Sequence, residues 1–526
     1  MNKMMKNKIS ANKIIAIVLL WIYVWLVLIM QAISVNVEIH SVVTLFLCLI
    51  SGVISYVCID RLGNYLPKLC EDGKREKNYR VWLLVSGITF LIFECYLAGQ
   101  YPGGMSQDNL SQYAQALGES PYSNWHPVLH TLLFFTLPVK LGRGYGCILF
   151  LQILWFSLAF GYLVKVLYQN QCNRFLMALF CGYIWFNPYL ATYLVYPWKD
   201  IAQMIFAMPL FGYYIQIIRS KGAWLSKKKN IFALTLMAVL CMYMRHNAVL
   251  FVAPLLILII FYGIGNRKLR LVIPAVFVVG YVLVRLLYAG MDLEAVDRRT
   301  LETVGLPANV WCNVMKKNPD ALPEETLAVM DEIATRENFK KKYTPGDFNR
   351  LKWSNYIDTS VIDEMSYGEI LHYTYECFKY APDESWEAVA KLTDMVWAID
   401  GKDEPVEITI KDNDWNVHAK PNRYAKQLTD AIVGLFSSGF GRIMFGSIGF
   451  MMLTMLVVTA IMIAKGRYAC LHVIPLFVYN FGTMLLLSGP DYRYFLFNIV
   501  LWIPTIFLML SDEQGWKKSE GINVHE

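Results

Sequence analysis

One carboxylate just inside a helix start, and a few cations set against apolar runs, are the groups here with the types and spacing for chemistry. In QYPGGMSQDNLSQYAQALGESPYSNWHPVLH (100–130), Tyr101-Pro102-Gly103-Gly104 reads as a turn and Ser106 as an N-cap. Gln107, Asp108 and Asn109 then occupy the first helical turn. His126 precedes Pro127 at the start of the next apolar run. Further on stand Lys199 with Asp200 (YPWKD), Arg245 with His246 (MRHN) and Arg493 beside Asp491 (GPDYRY). Charges at membrane depth are costly, so each is a functional hypothesis by default. One base and several cations on one side are what is needed to activate a hydroxyl while a phosphate departs. Arginine suits phosphate through its planar fork, whereas lysine acts as a point charge. Structural roles also fit: Asp108 at a helix dipole, His126 as a cap, Lys199–Asp200 as an interfacial ion pair, and Arg245 and Arg493 snorkelling to headgroups.

The elements that must position these groups are membrane helices. The chain has 526 residues, 56% of them hydrophobic. Apolar runs at 14–35, 40–59, 81–99, 147–168, 175–195, 201–219, 231–245, 247–263, 271–290, 443–464, 470–488 and 494–510 predict about twelve transmembrane helices in an all-α polytopic fold. With the N-terminus cytoplasmic, the basic loops Arg61–Arg80, Arg219–Lys229, Arg267–Arg270, Lys465–Arg467 and the Lys517-Lys518 tail all fall inside. His126–Leu141 is too short to cross and reads as a re-entrant or surface-lying helix; 231–263 reads as a hairpin with Arg245 near the outer surface. Leu110, Tyr113, Ala114 and Leu117 recur at helical spacing, opposite Asp108, Ser111, Gln112 and Gln115. That pattern predicts a helix lying on the membrane surface.

Residues 291–436 carry 27 acidic and 17 basic residues and read as an extracytoplasmic α or α+β domain, with Val406–Lys411 (VEITIK) as a possible short strand. The net charge of +7 resides in the short loops, as insertion requires, so no nucleic-acid partner is expected. Scattered cysteines contain no CxxC pair; Cys312 and Cys377 fit equally a disulfide or two free thiols.

The layout resembles the GT-C superfamily of integral-membrane glycosyltransferases, which use polyprenyl-phosphate sugars. The resemblance rests on Asp108 in GGMSQDNLSQY, His126-Pro127 in NWHPVLH, Asp200 in VYPWKDIAQM, Arg245 in MYMRHNAV and the Arg-Tyr of DYRYF. The resemblance covers best a membrane core (81–290) holding the first outer loop (100–146); the N-terminal two-helix addition with its basic loop (1–80) and the outer domain set between spans (291–436) depart from the family, and C-terminal membrane helices with a tail (437–526) complete the expected division. It also implies an inverting transferase in the cell membrane, both termini cytoplasmic, with an undecaprenyl- or other polyprenyl-phosphate sugar as donor. Asp108 would be the general base. His126, Lys199, Asp200, Arg245, His246 and Arg493 would bind substrate, and the acceptor would be an envelope glycan, lipid or protein. Many relatives carry a second acid beside the first; here Asn109 follows Asp108, so no cofactor is expected and a divalent metal is unsupported. The alternatives are a transporter or flippase, or a polymerase or ligase, for lipid-linked glycans; polar residues continuing across the membrane would favour transport.

Overall fold

The computed structural model describes residues 10–35, 37, 40–63, 78–142, 144–262, 267–294, 299–399 and 404–512. The basic N-terminal residues 1–9, the 64–77 part of the basic loop and the Lys517-Lys518 tail lie outside the described residues, as do the side chains at 267–269.

Long apolar stretches have no way to satisfy their backbone in lipid except as helices. Eight of the described helices are long and apolar enough to cross a membrane: Ala11–Ile33, Ser41–Leu62, Tyr79–Gly99, Tyr145–Gln169, Lys199–Arg219, Arg270–Ala289, Tyr468–Leu486 and Tyr492–Ser511. Two bent pairs bring the number to ten if each is one span: Arg174–Trp185 with Pro188–Leu194, bent by 53°, and Gly439–Gly446 with Ile448–Ala464, bent by 65°. The first break falls at Asn187-Pro188, where proline cannot continue the helix before it and Asn187 caps the one after it. The remaining two of the twelve expected spans are the short helices Lys228–Met244 and Val249–Tyr262, separated at Arg245, whose backbone is extended. Leu83, Leu84 and Leu91 on one span, and Val278, Leu283 and Leu286 on another, turn outward, as a lipid-facing surface requires. The protein is an all-α, multi-pass membrane protein.

Lys199–Arg219 lies at the centre, packed against Tyr145–Gln169, Lys228–Met244 and Phe497–Ser511. Residues 301–388 gather round a second apolar core built on Trp311, Phe339, Tyr343 and Phe348. Residues 392–433 instead pack onto the main core through Leu392, Val396, Ile408 and Val433. The span 406–411 is not a strand: it forms a single parallel bridge, Ile410 to Met105, and no strand occurs among the described residues. Its neighbours are a helix start and a tyrosine hydroxyl, so the ladder has nowhere to extend.

The Gln107–Leu117 helix departs from the surface-lying arrangement. Its Gln112 and Gln115 point inward, and Leu117 is 37% exposed. Gln112 Nε2 reaches His130 Nδ1 and Thr131 Oγ1, both at 2.9 Å. The partners come from the 128–142 helical run, so the "polar face" is satisfied by protein rather than water. Cys312 and Cys377 are both buried and unbonded in the second core.

Candidate active site

The site is assembled at the end of the bundle that adjoins the 301–388 unit. Ser106 and Asn109 form a capping box: the Ser106 N–H and hydroxyl both donate to Asn109 Oδ1, at 3.0 and 2.8 Å. Asn109 therefore serves the helix start, which explains why an amide follows Asp108. Its Nδ2 also donates to the Pro197 carbonyl at 3.3 Å, and Trp198 Nε1 donates to the Ser106 hydroxyl at 3.0 Å. These two bonds tie the Asp108 helix to the corner that opens the Lys199 helix. The preceding turn is held by Gly104, whose N–H donates to the Val195 carbonyl at 2.9 Å. Gly103, at φ 96°, permits that approach, since a Cβ there would collide with Leu149.

The third arm is the 487–495 corner. The Ser488 carbonyl accepts from the Phe348 N–H at 2.7 Å and from Asn309 Nδ2 at 3.0 Å, so the 301–388 unit grips the loop. Asp491 accepts from the Arg493 N–H at 3.0 Å and pairs with its Nε at 2.7 Å. Arg493 Nη1 then stands 3.6 Å from Asp108 Oδ2. Two guanidinium groups adjoin the Tyr494 ring, Arg245 at 4.3 Å and Arg493 at 5.1 Å from its centroid.

The structure thus brings Asp108, His126, Lys199, Asp200, Arg245, His246 and Arg493 into one electrostatic cluster. Their engagements differ. Asp200 and Arg245 form an ion pair, with side chains 2% and 11% exposed. Arg245 is therefore committed to a carboxylate rather than open to a ligand. His126 is 2% exposed. Burial and the nearby Lys199 push its pKa down, against the pull of Asp108, so the imidazole is neutral at physiological pH. His246 is exposed and hydrogen-bonded to the Trp125 main chain. Among the described residues no carboxylate is in ion-pair contact with Lys199; its electrostatic partners are Asp108, Arg245, Arg493 and Glu302. Burial alone would raise the Asp108 carboxyl, but Lys199 and Arg493 outweigh it and hold the group below the ordinary carboxylate range.

Several participants carry no local mark in the sequence. Glu302 and Lys352, paired at 2.6 Å, reach the cluster from the second core. Beneath Asp200, Gln203 Oε1 accepts from the Tyr479 hydroxyl at 3.2 Å, and Asn247 Nδ2 donates to Thr483 at 3.0 Å. Gln203, one turn after Lys199, and Asn247, beside Arg245-His246, were within reach of spacing arguments; Glu302 and Lys352 were not. Among the described residues no three His, Cys, Asp or Glu side chains gather as a metal site. Two clefts of about 460 and 470 Å³ flank the 404–422 segment, lined by residues such as Lys411, Asn416 and His418; Asp108 lines neither.

Residues 122–361 match a family described as a family of unknown function (DUF6020). The matched stretch holds His126, Lys199, Asp200, Arg245, His246, Glu302 and Lys352, and ends before Arg493. No curated protein matches the chain. No solved structure matches it.

Proposed function

We propose that the protein is a GT-C-like membrane glycosyltransferase that moves a sugar from a polyprenyl-phosphate donor to an acceptor hydroxyl on the extracytoplasmic side. The observation that carries this reading is the juxtaposition of an ionised, one-third-exposed Asp108 with Arg493 and an uncommitted Lys199 at one end of a membrane bundle. Orientation by basic loops puts that end, with the 301–388 unit, outside the cytoplasm, and both termini within it.

In the reaction Asp108 takes the proton of the acceptor hydroxyl as its oxygen attacks the anomeric carbon. The new C–O bond forms while the bond to the phosphate oxygen breaks, and the polyprenyl phosphate leaves with the electron pair. Lys199 and the Nη groups of Arg493 offset the charge that develops on it, so no separate acid is required. Direct displacement inverts the anomeric centre. Arg245, closed onto Asp200, positions the Tyr494 ring and the Lys199 helix start rather than holding phosphate. The acceptor is an envelope glycan, lipid or protein.

Proteoliposomes carrying polyprenyl-phosphate monosaccharides and envelope acceptors test the reading. Asp108→Asn should lower transfer by about 10²–10⁴-fold while donor binding persists. Transfer at the normal rate would remove Asp108 as the base.

A second reading, transport of the same lipid-linked glycan, draws on buried polar groups at the far end of the bundle. His472 contacts Tyr214 at 2.7 Å and Asp512 at 2.9 Å. Midway, Asn480 and Asn498 bond each other reciprocally at 2.9 and 2.8 Å. Such closed pairs are the polar glue of packed membrane helices, so transfer remains the better account. Movement of labelled donor across the bilayer without bond making would reverse that preference.

A further inference from the structure

The strongest feature outside the charged cluster is a pair of tryptophans at its rim. Trp353, in the second core's unit, is 57% exposed, and its ring centroid lies 6.3 Å from that of Trp125, edge to face at 76°. Trp125 immediately precedes His126, and its main chain is held by His246. The Lys352 side chain is buried, 1% exposed, with its ammonium 4.8 Å from the Trp353 centroid and paired with Glu302 at 2.6 Å. Glu302 is 42% exposed and is among the electrostatic partners of Lys199.

An indole left mostly open, yet fixed by an edge-on neighbour and by a cation, is a pre-organised surface rather than a loose side chain. Packing does not account for it, because a tryptophan buries a large area wherever the fold allows. Polar groups reach the pair through its neighbours, the Glu302 carboxylate through its ion pair with Lys352 and the exposed His246 ring through its bond to the Trp125 main chain. A flat apolar plate bordered by polar groups matches a pyranose ring, which has one face of C–H bonds and an edge of hydroxyls. We propose that Trp353 and Trp125 form a sugar-binding subsite at the rim of the active site, with Glu302 accepting from ring hydroxyls. The proposal rests on the glycosyltransferase reading for its neighbour, though not for its own geometry. Membrane loop and 301–388 unit each contribute one ring, so the subsite exists only when the two are docked.

The sugar belongs either to the lipid-linked donor or to the acceptor, and two sets of probes separate these. The full-length protein in nanodiscs is titrated with polyprenyl-phosphate mannose and N-acetylglucosamine, with soluble mannose and N-acetylglucosamine trisaccharides, and with bare polyprenyl phosphate. Trp353→Ala should weaken at least one sugar-bearing probe ten-fold or more, and Trp353→Phe less; bare polyprenyl phosphate should bind as before. Loss on the lipid-linked probes assigns the donor sugar, and loss on the trisaccharides assigns the acceptor. If no sugar-bearing probe responds to Trp353→Ala, the subsite is overturned. It is also overturned if bare polyprenyl phosphate weakens equally, because the ring would then be an interfacial lipid anchor. Trp353-dependent sugar binding with transfer untouched by Asp108→Asn would sink the catalytic reading and leave the subsite standing.

Discussion

Asp108 owes its charge state to its neighbours. The carboxyl is mostly removed from water, which favours the neutral acid, and Lys199 and Arg493 more than reverse that preference. A base works when ionised, so transfer should be flat with pH from neutrality downward and fall only as pH drops through the lowered carboxyl pKa. Arg493→Gln removes one stabilising cation, and the acid limb of kcat/KM against pH should move to higher pH. A limb that stays in place would show that Arg493 does not act on Asp108. At the Asp200–Arg245 pair the argument concerns stability. Both side chains are buried, so Asp200→Asn or Arg245→Met alone leaves a charge without its partner. Each should cost about 3–5 kcal/mol. The double variant should recover much of that loss, read as a double-mutant cycle on thermal unfolding in detergent.

At the scale of elements, the site depends on how corners are gripped. The 487–491 loop follows one span and precedes the next, and its register fixes where Arg493 lands. Gly305 lies directly against the Leu487 carbonyl, and a Cβ there would also meet the Ser488 nitrogen at 2.7 Å. Backbone on the far side cannot move aside as a side chain can. Gly305→Ala should therefore loosen the 301–388 unit by about 1–3 kcal/mol. Faster protease cleavage inside 301–388, together with a lower kcat, is the expected pair of outcomes; unchanged cleavage would mean the contact relaxes freely. The Gln107–Leu117 helix shows why amphipathic spacing misleads here. Its glutamines look solvated by type, yet His130 and Thr131 supply partners from the 128–142 run and Ser123 one from the loop between. Burial of a polar group follows from a partner's presence, which spacing within one helix does not report.

At the scale of the molecule, the spans form one packed bundle and the 301–388 unit caps one end of it through Asn309, Phe348 and the 487–491 loop. The orientation in the proposal follows from basic loops, and single cysteines in a cysteine-free background test it. Asp412→Cys should react with a membrane-impermeant maleimide on intact cells. Lys227→Cys should react only after permeabilisation. The opposite pattern would turn the charged cluster toward the cytoplasm and remove a lipid-linked sugar as its substrate.

The sequence by itself determined the solvent this chain lives in, because long apolar runs in a helical period have one outcome in a bilayer. It also marked Asp108, Lys199, Asp200, Arg245 and Arg493, because a charge beside such a run is conspicuous wherever it ends up. It did not report how each run is built, since the 175–195 run is bent at Asn187-Pro188 and the two runs that meet at Arg245 form short helices. Tertiary structure alone decided which of those charges are committed to one another. Arg245 closes on Asp200, Arg493 is shared by Asp491 and Asp108, and Lys199 is left facing them all. Partner choice of that kind depends on residues far apart in the chain arriving at one point, and Glu302, Lys352 and Trp353 join only because a separate core docks there. No local property of the chain encodes that convergence; packing does.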